Sequence, residues 1–185
     1  MERRIKDKNL LNDFAERFCR VVEKHSRYII VSGFVAISSG RVRGTEDIDM
    51  IIEKLDAPGF LALHNALTKA GFKCMQTDDA DEIFEYLAEN ASVRYTFGDS
   101  PLPEMELKFA KDELDEYQLR TRTKLPLTGL DIWFSSINMN IAFKEELLRS
   151  DKDIEDAEHL RKVYSELIDG QEIEKIKSLI RKTRL

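Results

Sequence analysis

The stretch from Tyr28 to Ile52 constrains the fold of this chain more than any other part of it. It opens as an apolar run, breaks at Ser32-Gly33, and ends with Asp47 and Asp49 alternating with apolar residues. Residues two apart on a strand project from the same face, so the two carboxylates would stand side by side there. Carboxylates this close repel each other unless a cation lies between them, and a divalent metal is the usual one. The stretch therefore predicts a strand that carries a metal site.

Composition limits the class of protein. The 185 residues, 42% of them apolar, suffice for one compact domain or for one domain with a helical extension. A net charge of −6 argues against bulk nucleic-acid binding. The N-terminus lacks the apolar segment of a signal peptide, and the longest apolar run is about half of the ~20 residues that a membrane helix needs. Neither the cysteines nor the histidines have the spacing of a zinc site. We expect a cytoplasmic protein with no membrane partner.

Hydrophobic periodicity predicts an α/β (α+β) fold, a small mixed β-sheet flanked by helices, with further helices at the C-terminus. Residues 1–135 would form the core with its N-terminal helix, and residues 136–185 a helical part packed on it, within one domain or as a second unit. The stretch 114–120 is ambiguous between helix and strand, and 124–134 fits a further strand pair. Predicted helices cover residues 5–24, 34–38, 57–70, 81–89, 137–148, 154–167 and 173–180; predicted strands cover 28–31, 47–52, 72–75, 92–97 and 104–110.

A third carboxylate for the metal should come from a neighbouring strand. In the segment 103–109, Glu104 and Glu106 alternate with apolar residues and so share one face. Either glutamate can reach the metal from such a strand. Glu106 is the preferred candidate, because apolar residues flank it on both sides and place it inside the strand.

The turn and loop between the two strands carry groups suited to phosphate. Gly33 lacks a Cβ and lets the backbone approach a ligand, and the hydroxyl of Ser32 can donate to a phosphate oxygen. Arg41 and Arg43 alternate along the loop and can neutralise phosphate charge, with Thr45 orienting the loop. Metal and phosphate together predict nucleotide chemistry.

The segment 32–52, SGFVAISSGRVRGTEDIDMII, resembles motif I of the polymerase-β-like nucleotidyltransferase superfamily, a pair of small residues followed by Asp-x-Asp on a strand. More narrowly, it is similar to the minimal and AbiEii-type nucleotidyltransferases, many of which are toxin–antitoxin components. Downstream, Lys144, Arg149 and Asp153-Ile-Glu-Asp156 are similar to the helical Lys…Arg…Asp-x-x-Asp pattern of that group. The similarity covers about Tyr28 to Leu167, and only motif I is specific.

The resemblance implies an enzyme that moves a nucleoside monophosphate from a nucleoside triphosphate such as ATP to a hydroxyl. It implies Mg²⁺ or Mn²⁺ as cofactor, and an RNA end, a protein side chain or a small molecule as acceptor, with a cognate toxin or antitoxin as a candidate partner. Asp153 or Asp156 would act near the reacting groups as a base. The other implied roles are metal binding by Asp47, Asp49 and Glu106, phosphate binding by Ser32 and Gly33, and contact of Lys144 with phosphate or acceptor.

The chain departs from the family pattern in three ways, and the last two favour an alternative. Ser32 replaces the first glycine, the bulky Phe34 follows Gly33, and the third carboxylate is Glu106 rather than Asp. The alternative is a catalytically weak nucleotide-binding or partner-neutralising module of the same fold. Lys144 also fits the solvated face of an amphipathic helix, and the Asp153/Asp156 pair fits simple stabilisation of a helix N-terminus.

Overall fold

The computed structural model describes residues 8–45 and 47–185. Residues 5–7 of the first predicted helix, and Glu46 of the predicted loop, lie outside that part of the chain. A π-helical turn, Lys144–Leu148, directly follows the helix Ile137–Phe143, and short 3-10 turns lie at Pro126–Thr128 and Ser165–Leu167. The helices are α1 (Lys8–Glu23), α2 (Gly33–Ser38), α3 (Ala57–Lys69), α4 (Ala80–Ala88), α5 (Glu113–Arg120), α6 (Ile137–Phe143), α7 (Asp151–Val163) and α8 (Gly170–Arg184); the strands are β1 (Tyr28–Val31), β2 (Asp47–Ile52), β3 (Phe72–Cys74), β4 (Val93–Phe97) and β5 (Glu104–Phe109).

The five strands form one mixed sheet in the order β1-β2-β5-β4-β3. β2 and β5 run parallel, while every other neighbouring pair is antiparallel. The parallel pair is connected by the long crossover through α3, β3, α4 and β4. The prediction of a small mixed sheet flanked by helices is confirmed.

Strand alternation gives the sheet two different faces. On one face Ile48, Met50 and Leu107 are fully buried against α1, α3 and α4, within a core rich in aromatic residues. Burying each such side chain stabilises the fold by roughly 1.5–3 kcal/mol. On the other face a small apolar cluster around Ile29 and Ile51 lies under α5. The rest of that second face is left to polar side chains.

The stretch 114–120, which is ambiguous in the sequence, forms the helix α5. Asp112 caps this helix by accepting a hydrogen bond from the backbone N–H of Asp115 at 2.9 Å. α5 buries two polar side chains, Asp115 and Gln118, beside its leucines, which hides the apolar period in the sequence. The strand pair expected at 124–134 is wrong: that segment makes a 3-10 turn, and Phe134 forms single bridges to Thr123 and β1.

The C-terminal helices pack on one another and on the rest of the chain. α6 contacts both α7 and α8, and α7 lies against α2. Arg149, with a left-handed backbone (φ 58°), ends the π-helical turn. Ser150 and Asp153 then form a capping box that starts α7. Side chains of α6, α7 and α8 share one hydrophobic core with the sheet. None of the described helices is long and apolar enough to cross a membrane.

Candidate functional site

The predicted carboxylates lie on the polar face of the sheet. Asp49 on β2 is paired with Glu106 on the parallel β5, and Asp47 is paired with Glu104. On its other side Asp49 is paired with Val31, the last residue of β1, next to the Ser32-Gly33 turn. Strand register therefore places the Asp-x-Asp pair, both candidate glutamates and the turn in one neighbourhood.

Asp49 is the most perturbed carboxyl group of this neighbourhood. Burial, then the negative charge of Glu106, then that of Asp47, together raise the pKa of Asp49 to about 6. Lys108 and a hydrogen bond from the Ser32 side chain act in the opposite direction but do not cancel the rise. The negative charge around Asp49 therefore exceeds what Lys108 and the Ser32 hydroxyl offset.

The Glu106 side chain contacts residues at the start of β4, although its strand position is beside Asp49. Its Oε1 accepts a hydrogen bond from Ser92 Oγ at 2.8 Å, and Arg94 Nη2 lies 3.8 Å from its Oε2. Among the described residues, no group of three Asp, Glu, His or Cys side chains is arranged to hold a metal ion as it stands. Carboxylate oxygens are the ligands that Mg²⁺ prefers, and the charge of Lys108 does not offset the crowding of carboxylates at Asp49, so the donor chemistry fits a divalent cation. Glu106 would join such a site by releasing Ser92.

Ser32 has a backbone conformation that glycine adopts far more readily than serine. Its φ is 69° and its ψ is −143°. The conformation turns the chain from β1 into α2 and brings the Ser32 hydroxyl to Asp49. Thr45, at the far end of the loop, donates from its hydroxyl to the backbone carbonyl of Asp47 at 3.1 Å. Both hydroxyls thus organise the Asp-x-Asp strand.

Gly33 lies directly beneath the guanidinium group of Arg43. A Cβ built on Gly33 would collide with Arg43 Nη2. The glycine is therefore needed for the close approach of an arginine of this same loop, in addition to the ligand approach expected from the sequence. The consequence is that a cation already sits at the turn.

Asp156, on α7, anchors that arginine together with two further cations. Arg43 donates to both of its carboxylate oxygens, from Nε at 3.1 Å and from Nη2 at 2.8 Å. Arg41 Nε lies 3.2 Å from Asp156 Oδ1, while its Nη2 contacts Glu155. Burial alone would raise the pKa of Asp156, but the hydrogen bond from Arg43 and the charge of Lys144 outweigh it and lower the pKa. Asp156 is therefore a fully ionised counterion.

Lys144 completes this group, which we call the Asp156 cluster (Arg41, Arg43, Lys144 and Asp156). Its side chain is fully buried, and its Nζ lies 3.1 Å from Asp156 Oδ2 and 3.9 Å from Asp153 Oδ1. The alternative of a solvated helix face is wrong for this residue. Lys144 starts the π-helical turn, a local irregularity that is frequent at functional sites.

A cavity of about 250 Å³ lies between the polar face of the sheet, α5, α6 and the π-helical turn. It brings together three predicted site residues, Ser32, Asp49 and Lys144. The other predicted residues surround these three without lining the cavity. Its remaining lining residues are Val31, Ile51, Lys108, Asp115, Gln118, Asn140, Phe143, Leu147, Leu148 and Arg184.

Sequence reasoning missed several polar residues of this lining. Lys108 carried a usable signal, because it follows Glu106 at strand period on the same face. Asp115, Gln118 and Asn140 carried none, since each is a polar residue on a short helix whose burial depends on distant partners. Arg184 lies at the end of a basic segment that resembles an ordinary solvated helix end.

Comparisons with known proteins agree on the fold. No protein-family model matches the chain, and no curated protein sequence matches it. Among solved structures, an antigenic nucleotidyltransferase-like protein from Paracoccidioides brasiliensis superposes with a TM-score of 0.59, at 18% identity, over 98% of this chain and 91% of that chain. The antibiotic-resistance factor ANT(2'')-Ia superposes in its solution structure with a TM-score of 0.55, at 13% identity, over 94% and 92%.

A crystal structure of ANT(2'')-Ia in complex with adenylyl-2''-tobramycin gives the same TM-score of 0.55, at 16% identity, over 96% of this chain and all of that chain. Both proteins are matched over nearly their full length. The chain therefore has the fold of nucleotidyltransferase-like proteins, as the resemblance of its motif I implied.

Proposed function

We propose that this chain is a metal-dependent nucleotidyltransferase that moves a nucleoside monophosphate from a nucleoside triphosphate to a hydroxyl acceptor. The observation that carries the proposal is Asp49: a carboxylate crowded by Asp47 and Glu106, bordering a cavity and touching the Ser32 turn. A protein keeps such an arrangement at a cost in stability, so a cationic ligand is its natural complement. The fold shared with nucleotidyltransferase-like proteins supports the same reaction class.

The metal would be Mg²⁺ or Mn²⁺, with Asp47, Asp49 and Glu106 as its ligands. Bound there, it would supply positive charge to the phosphate oxygens of the triphosphate. The raised pKa of Asp49 fits this role, because a cation would offset both its burial and the repulsion by Glu106 and Asp47 that cause the rise.

The cations of the Asp156 cluster are suited to the triphosphate. Arg43 lies against Gly33 at the turn, and Lys144 borders the cavity. We assign Asp156 as the positioning residue that holds both cations in place, because a carboxylate with a lowered pKa is a poor proton acceptor. Asp153 is tied to Ser150 in the capping box, so we assign neither aspartate as the base.

In the reaction, an acceptor oxygen forms a bond to the α-phosphorus while the bond from that phosphorus to the pyrophosphate oxygen breaks. The hydroxyl proton leaves with water or buffer, and pyrophosphate departs. Among fold relatives, ANT(2'')-Ia is seen with an adenylylated small molecule, which supports ATP as donor and a small polyhydroxylated molecule as the first acceptor to test. An RNA end, a protein side chain and a cognate toxin or antitoxin are the other acceptor and partner classes of this proposal.

The test is transfer of label from α-labelled ATP, CTP, GTP or UTP with Mg²⁺ to three acceptor pools: total RNA, total protein and small hydroxylated molecules. We expect transfer that requires the metal and falls by about 100-fold or more in Asp49→Asn. Glu155→Ala is the matched control, because Glu155 contacts only the outer side of the Asp156 cluster. Transfer that persists unchanged in Asp49→Asn would rule out this site.

A second candidate function is a nucleotide-binding or partner-neutralising module with little turnover. Two observations favour it: the hydrogen bond of Glu106 to Ser92, and the guanidinium of Arg43 against the turn. Metal-dependent nucleotide binding without transfer to any acceptor pool would select this second function over the first.

A further inference from the structure

The cavity has a polar wall that the proposed reaction does not use. Asp115 and Gln118 from α5 and Asn140 from α6 are 1%, 3% and 3% exposed, yet all three border the cavity. Burying polar side chains is costly unless their hydrogen bonds are made. The hydrogen-bond partners of these three side chains therefore show which of their donors and acceptors remain available to a ligand.

The hydrogen bonds within this wall lock two of its members. Gln118 Nε2 donates to Asp115 Oδ1 at 3.2 Å, and Gln118 Oε1 accepts from Ser135 Oγ at 3.0 Å. Asp115 Oδ1 also accepts from Arg184 Nη2 at 3.0 Å, and Asp115 Oδ2 accepts from the backbone N–H of Lys111 at 3.0 Å. Because these hydrogen bonds come from several separate segments of the chain, the network keeps its side chains in fixed positions.

Asn140 is locked in a way that determines its amide orientation. Its Nδ2 donates to the backbone carbonyls of Ser135 and Ser136, each at 2.9 Å. Carbonyl oxygens accept only, so the nitrogen must face them and both of its N–H groups are used. What Asn140 retains for a ligand is its carbonyl oxygen, an acceptor. Asp115, whose carboxylate group is paired with Arg184, also offers acceptor oxygens.

The rest of the lining suits a flat ring. Phe143, Leu147 and Leu148 give the cavity an apolar wall, and its ~250 Å³ lies just below the roughly 300–1,000 Å³ of pockets that enclose whole ligands. The space therefore fits part of a nucleotide better than all of it. An apolar wall with a few convergent polar groups is typical of a site that orients a ring.

We propose that this wall is a base-recognition subsite in which Asn140 Oδ1 accepts a hydrogen bond from the exocyclic amino group of the nucleotide's base. The proposal rests on the proposed function and deepens it, because it assigns the donor substrate to nucleotides with an amino group at purine C6 or pyrimidine C4, ATP or CTP. Asp115 and Gln118 are positioning residues that hold the wall in place. A base that presents a carbonyl, or nothing, to Asn140 leaves a buried acceptor unpaired and binds more weakly.

The experiment measures equilibrium binding of four nucleotides with Mg²⁺ and no acceptor. ATP is compared with purine riboside triphosphate, which lacks only the amino group, and CTP with UTP. We expect the amino-bearing member of each pair to bind about 10-fold tighter, and Asn140→Leu to abolish that ratio. The matched control is Asn138→Leu, the same change on the same helix at a residue that does not line the cavity. It should keep the ratio.

The outcomes separate the two proposals. Equal binding within both pairs by the unmodified protein would overturn the subsite and leave the nucleotidyltransferase proposal standing. A ratio that survives in a folded Asn140→Leu would overturn the assignment to Asn140. No nucleotide binding at all would overturn both. If Asn140→Leu does not fold, the analogue pairs with the unmodified protein still decide whether the amino group is recognised.

Discussion

Asp49, which is partly buried beside the cavity, and the fully buried Asp156 lie in opposite electrostatic surroundings. Burial pushes the pKa of each upward. At Asp49 the neighbours Glu106 and Asp47 add to that rise, and the pKa reaches about 6. At Asp156 the cations Arg43 and Lys144 overcome it, and the pKa lies below the ordinary value.

This difference in pKa means that the charge of Asp156 stabilises the fold, whereas the charge of Asp49 destabilises it. The carboxylate of Asp156 neutralises cations from two other segments of the chain, so folding gains from its charge. The carboxylate of Asp49 lacks enough positive charge around it, so folding loses from its charge. A charge kept against stability is a marker of function.

The largest effect is expected when the counterion of the Asp156 cluster is removed. Asp156→Ala should lower the free energy of unfolding by about 3–5 kcal/mol, because the buried Lys144 loses its closer carboxylate and keeps that of Asp153 at 3.9 Å. Urea unfolding measures the change. Glu155→Ala, on the same helix but exposed, should cost at most about 1 kcal/mol. Equal losses in the two variants would mean that the cluster gives no special stabilisation.

Removing the charge of Asp49 should act in the opposite direction. Asp49→Asn should stabilise the metal-free protein by up to about 3 kcal/mol, at ~1.4 kcal/mol per pKa unit. The folded pKa is the higher one, so the unmodified protein loses stability as the pH rises from about 4 through about 6. The advantage of Asp49→Asn is therefore complete above about pH 6 and disappears below about pH 4. Thermal unfolding in EDTA across this range measures it, and a destabilised variant at pH 8 would contradict the comparison.

The turn that joins the two regions should respond to a single methyl group. Gly33→Ala should cost about 1–3 kcal/mol, because its Cβ must displace the guanidinium of Arg43 from its place beside Asp156. Gly170→Ala is the control, since a Cβ at Gly170 meets no neighbouring atom. Denaturant unfolding compares the two variants. If both are equally stable, Arg43 is not held against the turn.

The smallest effect concerns the backbone at Ser32. Ser32→Gly should relieve a strained conformation (φ 69°) and stabilise the protein by at most about 1 kcal/mol, after the entropy of glycine in the unfolded chain and the lost hydrogen bond to Asp49 are subtracted. Asn90→Gly serves as control, because asparagine tolerates its φ of 63° better than serine does. Calorimetric melting compares the pair. A larger gain at Asn90 than at Ser32 would show that the turn is not strained.

Local pattern predicted the elements that build the acidic face. The predicted bounds of β1 and β2, residues 28–31 and 47–52, agree with the structure, because both strands join apolar alternation to clear turn residues. The register pairs Asp49 with Glu106 and Asp47 with Glu104, so it brings both candidate glutamates beside the aspartates, and the preference for Glu106 stays a prediction. The helix α5 was not predicted, because Asp115 and Gln118, which it buries, are polar residues typical of a solvent-exposed segment.

By itself the sequence determined the strands β1 and β2, the side-by-side aspartates and the glycine turn, since each depends on residues a few positions apart. Only the tertiary structure decided the surroundings of these groups. Lys144 meets Asp156 from twelve positions away, Arg43 meets it across 113, and Arg184 meets Asp115 across 69. Which charge finds a partner depends on how α5 to α8 pack over the sheet, and electrostatic energy at such contacts follows distance in space rather than along the chain.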